Sequence, residues 1–176
     1  HGFIKINPYM QSGTFVLSDV STQDQAQNHI QYSKYYNPEY YGEYAAKLPD
    51  ALAQKQFQVI NAGQMDTTPP VLTGMEISAA EVEAPGTVEI TMTATDDFSG
   101  VTEASVYFYS SELGKGKSCW LEASYWDGKT GKYVPYEDGK LHGTMRFTAF
   151  DPTATYQVES LNVWDNAENS VYYSVD

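Results

Sequence analysis

From residue 71 onward, apolar and polar positions alternate with a period of two, which predicts half-buried strands rather than helices. In TVEITMTAT, Val88, Ile90, Met92 and Ala94 share one side and Glu89, Thr91 and Thr93 the other. Ala104, Val106 and Phe108 alternate with Ser105 and Tyr107, and Leu141, Gly143, Met145 and Phe147 alternate with His142, Thr144 and Arg146. Turn-forming stretches separate these runs: DDFSG at 96–100, ELGKGK at 112–117, DGKTGK at 127–132, YEDGK at 136–140, FDPT at 150–153 and DNAEN at 165–169. Gly and Asx residues supply the positive φ and the side-chain-to-backbone bonds that tight turns need. Short strands so punctuated predict an all-β sandwich or barrel.

The phase slips once. Tyr156 and Val158 share a face, but the next apolar pair is Leu161 and Val163. One extra residue restores the inward face, so a β-bulge is expected near 159–160. Residues 34–56 have a different character. In NPEYYGEYAAKLPD, Asn37 is placed to cap a helix, Pro38 to start it and Pro49 to end it, so a short helical insertion is expected over 38–48. FQVINAG at 57–63 reads as a strand, and Asp-Thr-Thr-Pro-Pro at 66–70 as a stiff linker, because proline fixes φ.

Residues 12–33 and 153–174 align without a gap at an offset of 141. Thr14, Asp24, Ala26, Asn28, Tyr32 and Ser33 match Thr155, Asp165, Ala167, Asn169, Tyr173 and Ser174, and His1 and Gly2 match His142 and Gly143. Phe15, Leu17, Val20 and Ile30 face Tyr156, Val158, Leu161 and Val171. An internal repeat makes the chain a tandem array. It divides into 1–65, the late strands of one repeat with the helical insertion and a closing strand, and 66–176, a second repeat that lacks a closing strand of its own. A second bulge is expected near 18–19. The pattern further suggests a piece of a longer array, cut inside repeats at both ends.

Composition narrows the function. The 10 Lys and Arg stand against 23 Asp and Glu, a net charge of −13. Nucleic acid demands a basic footprint, and anionic membranes attract basic segments, so neither is an expected partner. Cys119 is the single cysteine, which excludes an internal disulfide or a cysteine metal cluster, and it reads as a small apolar strand residue. No apolar run of 18 residues predicts membrane insertion.

The runs DTTPPVLTGMEIS, TVEITMTATDDFSGV and VWDNAEN resemble the bacterial immunoglobulin-like domains that stand in tandem on Gram-positive surface and secreted proteins. Asp66 to Pro70, Ala94 to Val101 and Asp165 to Asn169 match the family's opening linker, second-to-third-strand turn and late turn. DQAQN at 24–28 and FQVIN at 57–61 match the late turn and closing strand in the first copy. Glu168 stands where the family usually has Gly, and 110–140 is hardly covered. The resemblance implies an immunoglobulin-like antiparallel β-sandwich on an extracellular, non-catalytic protein. Its function would be that of a spacer, stalk or adhesion module, with neighbouring repeats as partners. The alternatives are a carbohydrate- or protein-binding module, engaging a glycan or a host or cell-surface protein, and an accessory domain of a secreted hydrolase.

Two clusters carry the candidate chemistry. In such a sandwich the acidic turns lie at one end, which would gather Asp66, Asp96, Asp97, Asp165, Asn166 and Asn169. Carboxylates and amides of this kind can ligate Ca²⁺, which takes six to eight oxygens; the same residues can equally form Asx-turns with their own backbone. The second cluster is aromatic: Trp120, Tyr125, Trp126, Tyr133 and Tyr136. One strand phase turns Trp120 and Trp126 outward as a ligand patch, and the opposite phase buries them. Trp164 is expected in the core or plugging a strand end. Of the histidines, His1 and His142 read as strand-start residues. No His–Cys, Ser–His–Asp or His-Glu-x-x-His arrangement is present, and the chain is not expected to be an enzyme.

Overall fold

The computed structural model describes residues 4 and 6–175, apart from the side chain of Glu43. The proposed equivalence of His1 and Gly2 with His142 and Gly143 lies outside the described residues. The chain forms two compact units, 11–62 and a second made of 1–10 with 63–176.

The smaller unit holds β1 (Gly13–Val16), β2 (Asp19–Gln23), β3 (His29–Ser33), α1 (Pro38–Tyr41), β4 (Ala45–Lys47), α2 (Asp50–Ala53) and β5 (Gln56–Val59). β1 pairs antiparallel with β5, Phe15 stacking on its cross-strand partner Phe57 at 5.5 Å. β2 and β3 form a hairpin, and β4 joins β3 in parallel. The Asn37 side chain caps α1 by accepting from the Glu39 amide at 3.0 Å, with Pro38 in the first turn. The helical insertion runs only through 38–44, shorter than the 38–48 expected. Gly42 at φ 59°, ψ −159° interrupts the α-helix, a 3₁₀ turn over Gly42–Tyr44 follows, and Ala45–Lys47 is taken up as a strand because β3 offers it an edge.

The larger unit is the sandwich. It consists of β6 (Val71–Ile77), β7 (Gly86–Thr95), β8 (Val101–Ser110), β9 (Lys115–Glu122), β10 (Ser124–Asp127), β11 (Lys132–Pro135), β12 (Leu141–Phe147), β13 (Gln157–Asp165) and β14 (Ser170–Ser174). Apart from the separate β10–β11 hairpin, these strands run antiparallel in the order β14-β13-β8-β9-β12-β7-β6. A single pair, His142 opposite Glu122, joins β12 to β9. β6, β7 and β12 thus form one layer and β9, β8, β13 and β14 the other, the strand arrangement of an immunoglobulin-like sandwich. Val88, Ile90 and Met92 from the first layer meet Val106, Phe108, Leu121 and Val163 from the second in one buried cluster. On β7 and β8 these are the inward positions the alternation predicts. Cys119 belongs to the same cluster, and burial raises its thiol pKa.

The slip in phase is a bulge, as expected: the β13–β8 register shifts between Val158 and Ser160. The first copy solves the same problem differently. In place of a bulge near 18–19 the strand breaks at 17–18, since β1 pairs with β5 while β2 pairs with β3. The hairpins themselves superpose in register. Asp19↔Ser33 through Gln23↔His29 in β2–β3 become Ser160↔Ser174 through Trp164↔Ser170 in β13–β14, each pair displaced by the repeat offset.

Candidate functional site

The acidic end of the sandwich is built from three turns. Asp66 precedes the two prolines and is buried; its Oδ1 accepts from the Thr68 amide at 3.0 Å and its Oδ2 from the Ser99 amide at 2.8 Å. Asp96 Oδ1 accepts from the Phe98 and Gly100 amides at 3.1 and 2.7 Å. Asp165, 1% exposed, accepts from the Ala167 and Asn169 amides through Oδ1 and from Asn169 Nδ2 through Oδ2, all at 2.8 Å. These are Asx-turns, in which a carboxylate does the work of a backbone acceptor. The amides then weld the turns together. Asn166 Nδ2 donates to the Ser99 and Gly100 carbonyls, and Asn169 Nδ2 to the Asp66 and Thr68 carbonyls. Pro70 is fully buried, so 66–70 is docked rather than a free linker. Tyr9 also packs here: its carbonyl accepts from the Asp66 amide, and its ring meets Phe98 edge-on at 5.6 Å.

Asp66, Asp96 and Asp165 each present an oxygen within 4.8 Å of the others. Asn166 and Asn169 bond into this cluster, while Asp97 is exposed and outside it. Five of the six carboxylate oxygens already accept from amides; Asp96 Oδ2 is buried with no partner. The Ser99 side chain, then the Thr68 amide, hold the Asp66 carboxyl below its ordinary pKa. The arrangement welds three turns and leaves one carboxylate oxygen unused.

The aromatic candidates divide into separate groups. Cys119 and Leu121 point inward and Trp120 outward, 59% exposed, which resolves the strand phase. Trp120 stacks on Trp164, with centroids 5.6 Å apart and planes at 19°. Trp164 is therefore on the outer face of the sheet, not in the core or plugging a strand end: Leu161, Val163 and Asp165 take the buried phase, and Trp164 falls between. The β10–β11 hairpin carries the others. Trp126 packs against its cross-strand partner Tyr133 at 5.3 Å, and Tyr125 against Tyr136 at 5.2 Å. Tyr136 continues to His142, whose Nε2 lies 3.0 Å from both Asp138 oxygens.

A cleft of about 1450 Å³ opens in the sandwich, with Val82, Phe108, Met145, Phe147 and Tyr156 among its walls. Asp151 lies at its rim, 2.7 Å from Lys117 Nζ. Lys117 first, then the Thr148 amide and hydroxyl, depress the Asp151 pKa to about 2 from 3.8. A carboxyl depressed by folding stabilises the folded state above its unfolded pKa and loses that effect as pH falls through the folded one. Urea midpoints should therefore decline between about pH 4 and pH 2, and Asp151→Asn should flatten that decline while lowering stability at pH 7.

No family model, curated protein or solved structure matches this chain.

Proposed function

We propose that the chain is a non-catalytic, extracellular repeat segment of a bacterial surface protein, acting as a spacer or adhesion module. The observation that supports this reading is the duplicated hairpin. β2–β3 and β13–β14 share register, and both turns carry the same Asx bonds. Asp24 accepts from the Ala26 and Asn28 amides and from Asn28 Nδ2, as Asp165 does from Ala167 and Asn169. Gln27 and Glu168 even share positive φ, 67° and 69°. Two units built on one hairpin in one chain are the signature of an array, whose task is reach and presentation. The resemblance of the DTTPP, TDDFSG and DNAEN runs to immunoglobulin-like repeats of Gram-positive surfaces supports the location.

A second reading, calcium stiffening of the array, is favoured by the three converging carboxylates and the unused Asp96 Oδ2. One experiment addresses both. The chain is stretched from its ends, in EDTA and in millimolar calcium. A spacer gives two discrete contour-length steps, one per unit, that recover on relaxation; featureless extension sinks the spacer reading. Calcium that raises the force of the larger step, and fails to do so in Asp96→Asn, supports the metal reading; equal forces in both buffers remove it.

A further inference from the structure

The outer face of the β9-β8-β13-β14 layer is laid out by strand register. One row runs Glu122, Glu103, Trp164, Ser170 and the next Trp120, Ser105, Asn162, Tyr172. Trp120 and Trp164 lean across β8 to stack, and Trp164 shares its row with Glu103 and Glu122. Glu103 and Glu122 sit directly opposite each other, an arrangement in which like charges destabilise a strand pair. Neither carboxylate takes part in a salt bridge among the described residues. No Lys or Arg stands at the outward positions of these four strands. What the face lacks is positive charge to balance the two carboxylates.

We infer that this face is a docking surface for a basic polypeptide segment, seating a lysine or arginine cation on Trp120 beside Glu103 and Glu122. The face of an indole attracts a cation placed within about 6 Å of its centroid. Trp120 is 59% exposed and its outer side is open, while Trp164 supports the inner side. Tyr172, 66% exposed in the same row, extends the aromatic platform. The net charge of −13 steers a basic segment toward the molecule, and the charge pair with its stacked indoles gives the place of contact. The inference stands on this face alone and does not depend on the repeat reading.

The test is calorimetric titration of the full chain with decalysine at low and at physiological ionic strength, about 0.15 M. Binding is expected, weakening as salt rises. Trp120→Ala, which leaves net charge unchanged, should reduce affinity about tenfold. Glu103→Gln with Glu122→Gln, shape-conserving at one half-buried and one exposed position, should reduce it several-fold more than Glu81→Gln with Glu89→Gln, which removes equal charge elsewhere. Equal losses in the two double variants would mean attraction by net charge alone and overturn the docking surface. So would an unchanged affinity in Trp120→Ala, no binding of decalysine, or Trp120-dependent binding of a neutral oligosaccharide in its place.

Discussion

Asp165→Ala is expected to destabilise the sandwich by about 3 kcal/mol, whereas Asp24→Ala, the same change in the other copy of the hairpin, costs about 1 kcal/mol or less. The bonds lost are nearly identical: three donors at 2.8 Å on Asp165, and donors at 2.8, 3.0 and 2.9 Å on Asp24. Burial separates them. Asp165 is 1% exposed and Asp24 lies open to solvent. A buried donor left without an acceptor costs about 1–3 kcal/mol, while water replaces the acceptor at the surface and the loss approaches that of a helix cap. Removing Asp165 also relieves its repulsion with Asp66 and Asp96, which offsets part of the loss and keeps the net below the sum of three orphaned donors. Asp165→Asn removes the charge and the bond from Asn169 Nδ2 to Oδ2 but keeps the two backbone bonds, because its amide oxygen can still accept from the Ala167 and Asn169 amides. It should cost less than half as much as Ala. All three tryptophans lie in 63–176, so tryptophan fluorescence in a thermal or urea melt reports this unit. The expected shift for Asp165→Ala is roughly 10 °C. A loss equal to that of Asp24→Ala would mean the buried turn is not holding the sandwich end, and an Asp165→Asn variant more stable than the parent would mean repulsion outweighs the bonds.

Gly143→Ala is the second large effect, also expected to cost about 3 kcal/mol. A Cβ at Gly143 would stand 2.4 Å from the Trp120 carbonyl oxygen and 2.9 Å from Cys119 Sγ and Leu121 Cγ. The nearest neighbour is backbone and cannot swing away. The strand must retreat from β9 next to His142 opposite Glu122, the single ladder pair between the two strands among the described residues. Core atoms of both layers then lose contact together, as happens when a close-packed interior is overfilled. Gly74→Ala provides the control. It too is a strand glycine, but nothing lies within 4 Å of its Cβ, so stability should stay level or rise by about 0.4–1 kcal/mol from the stiffer unfolded chain. Urea midpoints of the two variants decide the matter. Equal values would show that β12 does not approach β9 so closely.

Much of this architecture is legible in the chain. Alternation assigned the inward face of β7, β8 and β12, because side-chain direction along a strand is a local property of the backbone. The slip between Val158 and Leu161 announced the bulge on β13 for the same reason. The repeat announced a shared hairpin, and the structure carries it to the level of register and turn φ. The acidic site was half legible: the residue types said Asx-turn or cation ligand, and the resemblance said one end of a sandwich. The outward phase of Trp164 is legible in the alternation of its buried neighbours Val163 and Asp165, against the tendency of a large apolar side chain to enter the core.

What local pattern could not hold is which strand lies beside which. Ala45–Lys47 reads as the continuation of a helix and becomes a strand because an edge of β3 is available. The equivalent bulge near 18–19 becomes a break because β1 pairs with β5 there, while β13 runs unbroken along β8. The stacking of Trp120 on Trp164 requires two strands, far apart in sequence, to flank β8. The convergence of Asp66, Asp96 and Asp165 requires three distant turns to close on one another. The sequence by itself determined the β class, the inward and outward faces, the turns and the repeated hairpin, since each depends on residues a few positions apart. Strand order, the welded acidic end and the acidic aromatic face were decided only by the tertiary structure, since each depends on contacts selected by burial of the whole core.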